Sequence, residues 1–203
     1  MNPLNTIKGT IIGGTVVAVI IAVLVDGFSF QVLSFIRWVH ILAGITWIGL
    51  LYYFNFIQVP ALAAAMSDAG GPGGAGITKY VAPLALLWFR MAAALTWVAG
   101  VAYLAHGGNL LGATILGLGG ETINQYQLII GLGGWMGTIM AFNVWFIIWP
   151  AQKKVLGLVE ASDDEKAKAK RAAFLASRTN TFLSIPMIMC MLGATHTSIG
   201  LPF

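Results

Sequence analysis

The sequence predicts an all-α integral membrane protein with five transmembrane helices. Of the 203 residues, 58% are hydrophobic and only 9% are charged, whereas a soluble domain has about 25% charged residues. The mean hydropathy is +0.84, and several apolar runs reach the roughly 20 residues that a helix needs to cross a bilayer. We expect one membrane domain over residues 1–203. The net charge of +4 does not indicate a nucleic-acid partner, because the basic residues cluster in one loop.

The five predicted helices follow from the apolar runs and the residues that end them. They cover residues 10–25, 32–59, 80–105, 125–149 and 176–198. Pro60 and Pro150 mark two helix ends, because proline lacks an N–H and clashes with the preceding turn. The run Ser162-Asp-Asp-Glu165 is a capping-box pattern and predicts a further helix start, which can continue into the fifth helix. We expect the first helix to be retained, with a signal peptide as the alternative.

The loops give an orientation. The connection 153–175 carries most of the lysines and is therefore predicted to be cytoplasmic, and Lys79 puts the second loop on the same side. With five helices the N-terminus, with Lys8, is then inside and the C-terminus outside. We expect helices 2–5 to form a four-helix core in a bacterial-type inner membrane.

The second helix carries the most informative pattern. Arg37, His40, Gly44 and Trp47 share one helix face, since they recur at intervals of three or four residues. Charged and ionisable groups are costly in lipid and usually mark a functional site. This face is therefore a candidate site.

Three histidines are predicted toward the external side, and imidazole can bind haem iron, copper or zinc. They are His40, His106 and His196. A b-type haem needs axial ligands, an apolar slot and cations near its propionates. His40 and His196 can supply the two ligands and Arg37 can face a propionate. The slot would be shaped by Gly44, Trp47 and Gly193.

Two further features allow two interpretations each. Arg90 is a deeply placed charge of the third helix, and it either contacts an anionic cofactor group or has a structural role. Gly133 and Gly137 form a Gly-x-x-x-Gly pattern, which favours close helix packing within the chain or a homo-oligomer. Asn143 is predicted to form an interhelical hydrogen bond.

Three blocks of the sequence resemble the membrane urate oxidase N-terminal family. The first is Arg37-Trp-Val-His40-Ile-Leu-Ala-Gly44-Ile-Thr-Trp47-Ile-Gly49. The second is Met136-Gly-Thr-Ile-Met-Ala-Phe-Asn143-Val-Trp-Phe-Ile-Ile-Trp-Pro150-Ala-Gln152-Lys-Lys154. The third is Ser177-Arg178-Thr-Asn180-Thr-Phe-Leu-Ser-Ile-Pro186, with His196 beyond it. The first block alone also resembles copper-resistance D-type proteins and haem-binding membrane protoporphyrinogen oxidases.

The resemblance implies a membrane fold and electron transfer linked to urate oxidation. Longer members of the family have a C-terminal cytochrome c domain, and we expect this chain to be a short form without it, since it has no Cys-x-x-Cys-His. Thr179-Asn180 stands where the family tends to have His-Asn, and Ala194-Thr195-His196-Thr197 replaces an Asn-His-Tyr-Pro type of ending. His40 and His196 match histidines of the pattern.

The first functional hypothesis is therefore a membrane protein with a b-type haem that transfers electrons or oxidises a small molecule. An external cytochrome c is its expected partner, and the lipid bilayer is its surroundings. The second hypothesis is a non-catalytic membrane subunit or a homo-oligomeric scaffold built on Gly133 and Gly137. The third is a copper or zinc site at the outer face with His196 and His106. No nucleophile–base pair, phosphate loop or carboxylate pair indicates a hydrolase or an ATP-driven protein.

Overall fold

The computed structural model describes residues 2–195 and Leu201. Within these residues the regular secondary structure is entirely helical, and no strand occurs. Lipid offers the backbone no hydrogen-bonding partners, so apolar segments satisfy their N–H and C=O groups inside helices. The prediction of an all-α protein is confirmed.

The first of two structural units comprises residues 1–34 and contains helix α1 (Ile7–Asp26). The Thr6 hydroxyl caps this helix by accepting the Gly9 N–H at 3.0 Å. Gly27 follows the last turn with a φ of +69°, a conformation that favours glycine. No residue of α1 is buried, as expected of an apolar helix that lipid can cover.

The second unit begins at Phe35, in the first turn of the helix that starts at Val32, and contains the rest of that helix and all later helices. These helices are α2 (Val32–Tyr52), α3 (Val59–Ser67), α4 (Ala82–His106), α5 (Leu110–Thr114), α6 (Gln125–Phe142), α7 (Trp149–Val155) and α8 (Asp163–Thr195).

In the described residues, wide π-helical turns directly precede helices α3, α4 and α7. They cover Tyr53–Gln58, Ile77–Val81 and Asn143–Ile148, and each is followed by an α-helix with proline at its second position. Before Pro60, the N–H of Val59 bonds to the carbonyl of Phe54, five residues back. The wider turn thus lets the helix pass a residue that has no N–H to donate.

The predicted helix ends at Pro60 and Pro150 are corrected accordingly. The second helical segment continues to Ser67, and the fourth continues to Val155. Each proline lies in the first turn of the α-helix that follows a π turn, where its missing N–H is tolerated. Both prolines therefore lie inside longer helical segments.

Four helical segments of the described residues are long and apolar enough to cross a membrane. They are Ile7–Asp26, Val32–Ser67, Ile77–His106 and Gln125–Val155. Helix α8 is not among them, because its first half is charged and its second half contains polar residues. The fifth span and the orientation stay predictions, and residues 196–198 of that span lie outside the described residues.

The capping box at the start of α8 is confirmed. The Glu165 N–H bonds to the Ser162 hydroxyl at 3.3 Å, and the Glu165 carboxylate accepts the Ser162 N–H at 2.9 Å. The helix begins at Asp163 and runs unbroken to Thr195, through Pro186. Its charged first half and its less polar second half are therefore one element, as the sequence allowed.

The main core lies where α2, α4, α6 and α8 meet. Its members are buried aromatic and aliphatic side chains, among them Trp47, Leu51, Phe89, Met140, Val144 and Met187. Helices α6 and α8 approach closely at Gly133, where an added Cβ would lie 3.1 Å from the Cβ of Cys190. Gly133 is thus used for packing within the chain, one of the two roles that its pattern predicted, whereas no atom lies within 4 Å of a Cβ on Gly137.

Candidate functional site

The half-buried imidazole of His40 reaches from α2 to α4. Its Nδ1 lies 2.8 Å from the backbone carbonyl oxygen of Thr96. A carbonyl can only accept a hydrogen bond, so Nδ1 carries the proton and donates it. The neutral ring then keeps its lone pair on Nε2, which no described residue hydrogen-bonds. A neutral imidazole held this way has the tautomer that a metal ligand needs.

The His40 ring has room because residue 100 is glycine. A Cβ at Gly100 would lie 2.9 Å from Cε1 and 3.0 Å from Nδ1 of the imidazole. Such separations are shorter than van der Waals contact, so a side chain there would displace the ring. Sequence reasoning missed Gly100; its only signal was a glycine inside an apolar helix.

Gly44 lies one turn after His40 and also faces α4. A Cβ at Gly44 would lie 3.7 Å from Cγ2 of Thr96, which is ordinary contact. The Thr96 hydroxyl is buried and donates to the carbonyl of Ala92 at 2.7 Å. Gly44 thus lies where α2 packs against α4, and its predicted role in shaping a haem slot stays a prediction.

Trp47 occupies the predicted face two turns after His40 and is 2% exposed. Its indole Nε1–H is buried and has no hydrogen-bond acceptor in the described part of the chain. A buried donor without an acceptor costs roughly 1–3 kcal/mol. A polar group of a bound ligand would remove that cost.

Arg37 is exposed, one turn before His40 on α2. His106 is also exposed and is the last residue of α4. Gly193 is half-buried near the end of α8. His196, the second predicted ligand, lies outside the described residues, as does any contact that it makes.

Arg90 is not part of the His40 region. It lies ten residues before Gly100 on α4, which is about 15 Å along the helix. Its Cζ lies 3.7 Å from the ring centroid of Trp149. Arg90 therefore lies away from His40 and contacts an aromatic ring of the α6–α7 segment, and a contact of Arg90 with a cofactor stays a prediction.

A layer of buried polar side chains joins the helices beyond Trp47, in the direction away from His40 along the α2 segment. Asn143 donates to the side-chain oxygen of Asn180 at 2.8 Å, so its predicted interhelical hydrogen bond is confirmed. Asn180 is 0% exposed and donates to the carbonyl of Met140 at 3.0 Å. Asn55 donates to the Ser177 hydroxyl at 2.8 Å.

Sequence reasoning missed most of this layer. It predicted an interhelical hydrogen bond for Asn143 but not for Asn55 or Asn180, although each is a polar residue in a helix with many apolar neighbours. Their pairing depends on which helix faces cross, and a single sequence does not contain that information. Among the described residues, no group of three His, Cys, Asp or Glu side chains is arranged to hold a metal ion.

One comparison with known proteins gives a match. The sequence model of the urate oxidase N-terminal family matches residues 122–200, less than half of the chain. The match covers α6 to α8 and includes the second and third blocks, so the resemblance is confirmed over this part. The resemblance of the first block, Arg37–Gly49, stays a prediction. No curated protein and no solved structure matches the chain.

Proposed function

We propose that this protein binds a b-type haem in the membrane and uses it for electron transfer or for oxidation of a small molecule. The observation that carries the proposal is the hydrogen bond from His40 Nδ1 to the Thr96 carbonyl at 2.8 Å. A neutral imidazole that donates from Nδ1 has an unprotonated Nε2, which is the atom that would bind haem iron. The match of residues 122–200 to the urate oxidase N-terminal family supports a relation to membrane urate oxidases.

The other residues of the proposed site would hold and orient the haem. Gly100 makes room for the imidazole itself, and Gly44 lies against Thr96 of α4. Arg37, one turn from His40, is the proposed partner of a propionate. Haem supplies a one-electron couple, and these residues hold and orient it.

We propose His196 as the second axial ligand. It follows directly on the last described turn of α8, a helix that packs along α6 and contributes to the same core as Trp47. Gly193 of α8 lies three residues before His196 in the sequence and would leave room for the macrocycle. An external cytochrome c is the proposed electron partner.

The visible absorption spectrum of the purified protein tests the proposal. We expect a Soret band that shifts when the protein is reduced with dithionite. A colourless preparation that co-purifies with a larger assembly would instead support a non-catalytic membrane subunit. Elemental analysis separates haem iron from copper or zinc bound by His106 and His196.

A further inference from the structure

Two positive charges flank one indole at the end of the α6–α7 segment. The guanidinium of Arg90 lies 3.7 Å from the ring centroid of Trp149, and the Nζ of Lys153 lies 5.9 Å from it. Lys153 follows Trp149 by one turn on α7. Both cations are half-buried, so neither is fully screened by water.

No carboxylate balances this pair of cations in the described part of the chain. The ion pairs found there join Lys154 to Glu165 at 3.2 Å and Lys166 to Asp163 at 3.7 Å. A guanidinium has five N–H donors, and no described acceptor bonds to that of Arg90. The guanidinium nitrogens are also accessible, since none of them is among the fully buried polar atoms without a hydrogen-bond partner. Arg90 and Lys153 thus present accessible, uncompensated positive charge.

The surroundings of these cations are amphipathic. The cleft beside Arg90 and Trp149 is lined by Leu86, Phe89, Val144, Ile148 and Gln152 and has a volume of about 10 Å³, so a ligand would lie over it and not inside it. Phe146 precedes Trp149 by three residues, whereas Lys153 follows Trp149, so the two lie toward opposite ends of the indole along the segment. Phe146 is 68% exposed. A ligand over the cleft would meet Arg90, Lys153 and Gln152 at one end and the apolar surface of Phe146 at the other.

The residue types around this cleft are typical of the boundary between membrane and water. Tryptophan is enriched where a bilayer meets water, and lysine follows on the aqueous side. Basic pockets between membrane helices at this depth bind anionic lipid headgroups. A small free anion would gain the charges but would leave the apolar surface uncovered.

We propose that Arg90, Lys153 and Trp149 form a binding site for the phosphate of an anionic phospholipid. The guanidinium and the ammonium bind the phosphate oxygens, the indole keeps the guanidinium in place, and an acyl chain covers Phe146. This site is separate from the proposed haem site around His40 and does not depend on it.

The test compares thermal unfolding of the purified protein in phosphatidylcholine–detergent micelles with and without phosphatidylglycerol. We expect phosphatidylglycerol to raise the unfolding midpoint of the wild-type protein. Lys153→Gln and Arg90→Gln should each weaken the apparent affinity about fivefold. Arg90→Lys should fall between them and the wild type, because lysine keeps the charge but loses the planar fork.

Lys154→Gln is the matched control. Lys154 is the neighbour of Lys153 and already pairs with Glu165, so its loss should leave the phosphatidylglycerol effect unchanged. Should Arg90→Gln not fold, Lys153→Gln carries the test alone, since Lys153 lies near the end of α7. The proposal is overturned if phosphatidylglycerol has no effect on the wild type, if Lys153→Gln responds like the wild type, or if inorganic phosphate alone gives the same shift.

Discussion

At the scale of single residues, the imidazole of His40 depends on the absence of a side chain opposite it. The second-helix motif identified His40, Gly44 and Trp47 from their spacing alone, because a shared helix face follows from 3.6 residues per turn. Gly100 and the Thr96 carbonyl were not predictable, since they belong to another helix. The sequence therefore names the candidate ligand, and only the packing explains its tautomer.

Gly100→Ala should disturb this arrangement. The new Cβ would lie about 3 Å from two atoms of the His40 ring, so the ring must move and its bond to the Thr96 carbonyl must lengthen. We expect a loss of about 1–3 kcal/mol in the free energy of unfolding and a weaker or altered absorption spectrum. Denaturation in detergent and visible spectroscopy measure the two effects.

Gly134→Ala is the control for that substitution. No atom lies within 4 Å of a Cβ at Gly134, and alanine is favoured over glycine in a helix by up to about 1 kcal/mol. Its stability should equal or exceed that of the wild type, with the spectrum unchanged. Equal behaviour of the two variants would contradict the close packing of His40 on Gly100.

Asn180→Ala should destabilise the polar layer. Asn180 is fully buried, and its removal leaves the Asn143 amide and the Met140 carbonyl without their partner. We expect a cost of about 1–3 kcal/mol in the free energy of unfolding. Thr179→Ala, at an exposed neighbouring position, should cost less than about 0.5 kcal/mol. A cost for Asn180→Ala as small as that would show that the layer contributes little.

At the scale of elements, the prolines were the main source of error. Pro60 and Pro150 looked like helix ends because proline disrupts a regular α-helix. The π turns before them remove that conflict, and the sequence gives no signal for a change of hydrogen-bonding register. The capping box at Ser162 was predictable, because all its partners lie within four consecutive residues.

The start of α8 should respond to pH through Glu165. The Ser162 N–H and then Lys154 hold the pKa of this carboxyl below its ordinary value. The ionised carboxylate therefore stabilises the helix start above the ordinary pKa of glutamate, and this contribution is lost as the pH falls through the lowered pKa. Thermal unfolding of wild type and Glu165→Gln, measured across this range, should differ at neutral pH and converge in acid.

Glu160→Gln is the control for the pH experiment. Glu160 is an exposed acid outside the capping box, so its substitution should leave the pH dependence of the wild type in place. A difference between wild type and Glu165→Gln that persists in acid would show that the carboxylate is not the cause.

At the scale of the whole molecule, composition was sufficient for the fold class and insufficient for the site. An apolar chain in lipid has few alternatives to helices, so the all-α prediction needed no detail. The role of Arg90 was not predictable, because its partner Trp149 lies 59 residues further along the chain. Position along a helix predicts depth, but it does not predict which aromatic ring or helix lies opposite.

The orientation of the second unit is testable by labelling single introduced cysteines with a membrane-impermeant maleimide. Gly70→Cys and Glu160→Cys are exposed positions on the predicted cytoplasmic side, and Thr122→Cys is an exposed position on the predicted outer side. The native Cys190 is buried and should react little. Labelling of Thr122→Cys and Glu160→Cys from the same side would contradict the predicted topology.

The most direct test of the central claim is the haem content per chain of His40→Ala beside His106→Ala. Both variants remove one imidazole, but only His40 lies between helices with a free Nε2, whereas His106 is exposed at the end of α4. We predict that His106→Ala retains the wild-type haem content and redox-dependent Soret band, and that His40→Ala loses them. Equal haem content in the two variants, or none in the wild type, would contradict the assignment of His40 as a haem ligand.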